Sequence, residues 1–176
     1  MTLELKHKRV IFSEENKKEY NENKEIYDAL NCIVDEALFD YTVNALNKYS
    51  SKNKILQATR VVDMVMFLLK DRKLVQDGIH QSFVDHLVMA AMLHNIIDVQ
   101  EKNWNSVYVI RNCLSEICIY NDMKLPYQIL DSVCDIIEGQ LGQHTPIKGS
   151  RPNPNTPGEL FATAVALDRN FYITKK

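Results

Sequence analysis

The residues best suited to chemistry sit at one end of an apolar run, Asp85-His86-Leu87-Val88-Met89-Ala90-Ala91-Met92-Leu93-His94-Asn95-Ile96-Ile97-Asp98. The run contains no helix breaker and ends in His94, Asn95 and Asp98. Leu87, Ala90, Ala91, His94 and Asp98 recur at steps of three and four, so they share one helical face. His94 and Asp98 are then one turn apart and able to touch the same ion or substrate. An imidazole and a carboxylate so arranged suit metal ligation or proton transfer. The plainer reading of His94 is a hydrogen-bonded core histidine, because buried polar groups need partners.

With these residues in view, the stretch resembles the signature helix of the HD-domain superfamily, an apolar helix of the form AALLHD whose His-Asp pair binds a divalent metal. Here the pair reads His94-Asn95. The resemblance covers roughly residues 50 to 172. Ile55-Leu56-Gln57-Ala58-Thr59-Arg60-Val61-Val62 resembles the first HD helix, with Gln57 at the place of its His. Ile137-Glu138-Gly139-Gln140-Leu141-Gly142 resembles the ExHMG segment of some phage and prokaryotic members, with Gln140 where the His would stand. Ala164-Val165-Ala166-Leu167-Asp168-Arg169 resembles the closing helix and puts Asp168 at the last metal ligand.

The resemblance implies a metal-dependent phosphohydrolase of nucleotides or related phosphate esters, of phage or bacterial type. A dication held by several ligands lowers the pKa of a bound water, and the resulting hydroxide attacks phosphorus. Of the five ligands implied, His94 and Asp168 remain. Gln57, Asn95 and Gln140 are neutral amides, which add no charge to offset a dication and are poor donors to transition metals. The expectation is therefore a pseudoenzyme: a degenerate metal site that holds no metal or binds manganese, cobalt, nickel or magnesium weakly, in a protein that acts by binding. Two other readings stand beside it. One is a working phosphohydrolase using His94, Asp98 and Asp168, with Asp98 as base where alarmone-metabolising HD proteins carry an acidic residue. The other is a helical scaffold that assembles with itself or a partner.

Asp168 has a structural alternative, pairing with Arg169, Arg60 or a helix N-terminus. Arg60, Lys148 and Arg151 are the candidates for contacting phosphate; exposed basic loop residues more often do nothing specific. His80, His86 and His144 have no spacing that joins them to the set.

Stepping along the chain, Ser13 with Glu14 and Glu15 suits a helix start. Ile26, Leu30, Ile33, Val34, Ala37, Leu38, Tyr41, Ala45 and Leu46 then trace one amphipathic stripe, read as a single helix. Lys48 to Lys54 reads as a loop and Ile55 to Leu69 as a helix. Ser82 and Asp85 resemble a capping box that opens the central helix. Further helices follow from about Asn105 to Tyr120 and from Pro126 to Gly139 or Gly142. The stretch from Gln143 to Asn155 holds three prolines and reads as a long loop. Thr156-Pro157-Gly158-Glu159 opens the last helix. The fold expected is all-α, a compact HD-domain-like bundle of about six or seven helices. Residues 1–49 form an arm and an amphipathic helix, and 50–176 form the HD-like domain, together one compact unit.

With 45% apolar and 25% charged residues the chain has the composition of a soluble globular protein. Its 21 basic residues against 23 acidic ones leave no field for an extensive nucleic-acid surface. No apolar run is long enough to span a membrane, and MTLELKHKRV lacks the apolar core of a signal peptide. Cys32, Cys113, Cys118 and Cys134 contain no CxxC pair and read as reduced core residues. These features point to the cytoplasm. The partners expected are a nucleotide or phosphate ester and, through the N-terminal helix, a second copy or another protein.

Overall fold

The apolar run Gln81–Leu93 forms the helix on which the others pack, and nine of its thirteen residues are buried. A helix apolar all round is stable only when enclosed, so it lies at the centre of the core. The structure, a computed structural model, describes residues 24–33, 35–74, 78–96, 104–120, 125–139 and 156–173. Among these it is all-helical, with α1 Lys24–Leu30, α2 Glu36–Tyr49, α3 Lys52–Asp71, α4 Gln81–Leu93, α5 Trp104–Tyr120, α6 Tyr127–Gly139 and α7 Pro157–Ile173. Central helix α4 packs against α2, α3, α6 and α7. Helix α7 in turn packs on α3 and α6, and α5 on α6.

The stripe from Ile26 to Leu46 is two helices rather than one. Asp35 breaks it by capping α2: its backbone is extended (φ −73°, ψ 118°), and its carboxylate accepts the N–H groups of Ala37 and Leu38. An Asp offers the backbone this alternative to continuing a helix. Buried Asp85, expected in a capping box, instead accepts the Asp35 N–H at 3.2 Å and the Gln81 side-chain amide at 2.6 Å. It thereby ties the start of α2 to the core helix. The cap of α4 is His80, whose Nδ1 accepts the Ser82 N–H. Ile26 and Leu30 are covered as α1 packs on α3, while Leu38, Tyr41, Ala45 and Leu46 are buried as α2 packs on α4. The Tyr41 hydroxyl donates to the Leu114 carbonyl of α5. The chain's own helices thus cover these residues of the stripe, while Ala37 is exposed.

The loop expected over Lys48 to Lys54 shrinks to Ser50 and Ser51, because α3 extends over twenty residues. Helix α3 closes with Lys73 in the left-handed region (φ 56°), where Leu74 N–H donates to Leu69 and Lys73 N–H to Lys70. That is a Schellman stop with a lysine at the position glycine usually fills. Pro126 precedes α6, and its carbonyl accepts the Ile129 N–H at 2.9 Å.

Helix α7 begins as its sequence indicates, with Thr156 Oγ1 accepting the Glu159 N–H. The Glu159 carboxylate binds Arg72 at 2.5 and 3.0 Å. With Arg60 bound to Asp168, the pairing order along the two helices makes α3 and α7 antiparallel. Gly139 at the end of α6 lies so close to Gly158 that a Cβ built on it falls 2.6 Å from Gly158 Cα. No described helix is long and apolar enough to cross a membrane. Cys32 and Cys134 are buried and Cys113 half-buried, all free; Cys32 lies in the turn after α1 rather than in a helix.

Candidate functional site

Among the described candidates, Gln57 and Arg60 lie on α3, His94 and Asn95 at the end of α4 and Asp168 on α7, three helices that touch one another pairwise. At the end of α4 the backbone stays helical through His94 (φ −59°, ψ −21°), whose N–H donates to Ala90 at 2.9 Å. The imidazole is 4% exposed, with Nδ1 2.7 Å from the Ala91 carbonyl. A carbonyl only accepts, so Nδ1 carries a proton. Nε2 is buried. The ring meets Phe161 of α7 edge to face, with centroids 5.5 Å apart.

The next residue, Asn95, donates through Nδ2 to Gln57 Oε1 of α3 at 2.6 Å. Two positions far apart in the chain, both matched to metal ligands by resemblance, are thus in direct contact. One turn along α3, Arg60 holds Asp168 with Nε at 2.9 Å from Oδ1 and Nη2 at 3.4 Å from Oδ2. Asp168 is 2% exposed, whereas the Arg60 side chain keeps 31% of its surface. Arg60 Nη1 also donates to the Leu56 carbonyl at 3.3 Å. Of the partners open to Asp168, the structure uses Arg60.

Asp98, Gln140, Lys148 and Arg151, together with His144, lie outside the described residues. The histidines elsewhere do other work. His80 caps α4, and His86 Nδ1 lies 3.1 Å from Ser132 Oγ of α6. Burial pushes the His86 pKa below its ordinary value, against the opposing pull of Asp85 and Asp35. Among the described residues no three His, Cys, Asp or Glu side chains cluster as a cation site.

Sequence reasoning missed two contacts, the Asn95–Gln57 bond and the Arg72–Glu159 pair. The first had a signal: Gln57 and Arg60 share a face of α3, so whatever neighbours one is near the other. The Arg72–Glu159 pair depends on the antiparallel packing of α3 and α7 and has none. Within the junction one amide bonds another and a guanidinium neutralises one carboxylate. No family model matches the chain, nor does any curated protein or solved structure. Fold and junction together define an all-α protein with an internally paired polar cluster at a three-helix crossing.

Proposed function

We propose that this chain is an HD-domain-like protein with a degenerate metal site, a catalytically impaired relative of nucleotide phosphohydrolases that acts by binding a nucleotide or phosphate ester. The observation that carries the reading is the 2.6 Å bond between Asn95 and Gln57. The resemblance matches these residues to ligands on separate helices, and ligands of one ion must lie side by side. Their contact fits that alignment, while as amides they add no charge to offset a dication and are poor donors to transition metals. Both are neutral, and Gln57 Oε1 is already accepting a hydrogen bond from Asn95.

Asp168 fits a dication no better. Both Asp168 oxygens face Arg60, so a cation there would have to displace a guanidinium or stand beside it. Without a metal to acidify it, water is a poor nucleophile at neutral pH. On this reading the protein binds its ligand without turning it over. Free Cys32, Cys113 and Cys134 suit a reducing compartment, and we assign the protein to the cytoplasm.

A panel of nucleotides and phosphate esters, assayed for phosphate release with manganese, cobalt, nickel or magnesium, tests the reading. The expected result is no release above background, with some members raising the melting temperature. Metal-dependent release that His94→Ala abolishes would overturn it and favour an active enzyme.

A further inference from the structure

We infer that Arg60 is the resident cation of this junction, its guanidinium taking the charge-balancing role opposite Asp168 that a divalent ion would otherwise fill. The inference rests on the degenerate-site reading and adds what replaces the ion. Asp168 is 2% exposed, and a buried carboxylate is tolerated only with a counter-charge or full hydrogen bonding. Arg60 supplies both, because its planar fork reaches the two carboxylate oxygens at 2.9 and 3.4 Å. The fork is anchored from behind by the Leu56 carbonyl, one turn earlier on α3, so it does not swing freely.

The same geometry sets guanidinium and metal against each other. A dication bound by Asp168 and by a ligand at position 57 would lie within a helical turn of Arg60, and like charges so close in a half-buried site repel strongly. Arginine stays charged at every physiological pH, so the repulsion is permanent. Either cation can face Asp168, but not both. Restoring ligands at positions 57 and 95 would therefore not by itself restore metal binding.

The test is thermal unfolding with and without millimolar manganese(II), for wild type, Arg60→Ala and Arg60→Ala/Asp168→Asn. Arg60→Ala is expected to melt about 5 to 10 °C below wild type, because it strands a buried charge. Manganese should recover part of that loss, while leaving wild type and the double variant unmoved. Arg60→Gln, which keeps the bulk without the charge, replaces Arg60→Ala if the latter does not fold. In parallel, Asn95→Asp/Gln57→His should bind manganese at least tenfold more tightly once Arg60→Gln is added. Equal binding with and without Arg60, or an Arg60 variant as stable as wild type, overturns the inference and leaves the degenerate-site reading intact. Metal-dependent turnover by wild type defeats that reading itself.

Discussion

Gly139→Ala probes how closely α7, the helix that carries Asp168, is seated against α6. The added Cβ would lie 2.6 Å from Gly158 Cα and 3.1 Å from Gly158 C and O, where ordinary contact begins at 3.4 Å. The obstacle is backbone, which cannot rotate aside, so one helix end must move. Overpacking of this kind costs about 1 to 3 kcal/mol. Alanine's better helix propensity returns less than about 1 kcal/mol, and little of it at a helix terminus. The net loss should be about 1 to 2 kcal/mol, or roughly 2 to 8 °C in melting temperature for a chain of this size. Urea unfolding should show a lower midpoint with an unchanged slope. Glu138→Ala, at an exposed neighbour, is the control and should stay within about 0.5 kcal/mol of wild type. A Gly139→Ala protein as stable as wild type would mean that the two helix ends do not meet, and the seating of Asp168 would need another explanation.

Lys73→Gly should raise stability by about 0.5 to 1 kcal/mol, since it relieves a side chain held at φ 56°; a loss in chemical denaturation would contradict the Schellman stop. His86 binds its proton less readily when folded than its ordinary 6.5 allows, so the unfolded chain takes up protons first as pH falls. Its contribution to stability is complete above 6.5 and is lost below it; His86→Gln should flatten that slope, and NMR titration of the imidazole should show the low value. Burial pushes the thiols of Cys32 and Cys134 up to about 11, so both should resist Ellman's reagent at neutral pH until the protein is unfolded. Rapid native labelling of either would place it outside the core.

Helix existence was easy to read, because apolar residues recur at helical spacing or, in α4, run almost without a break. The boundaries that sequence reading misses are set by single polar side chains. Asp35 lies within the stripe from Ile26 to Leu46 and stops it by capping, a role its type allows but its neighbours disguise. Asp85 looks like half of a capping box, yet it serves Asp35 across fifty residues. The candidate site divides in the same way. Local pattern brings His94 and Asn95 to the end of α4, and the family resemblance picks out Gln57 and Asp168. Which residue bonds which is decided by how α3, α4 and α7 cross: Arg60 and Arg169 are equally plausible partners for Asp168 until α3 is laid antiparallel to α7. The Gly139–Gly158 approach is likewise invisible in sequence, since a glycine that ends a helix resembles one that lets another backbone come near.

The most direct measurement is the metal stoichiometry of the purified wild-type protein after equilibrium dialysis against manganese, cobalt or nickel, with His94→Ala and Asp168→Asn alongside. Well under one ion per chain is expected, with no difference between wild type and either variant. One tightly held ion per chain, lost in both variants, would contradict it.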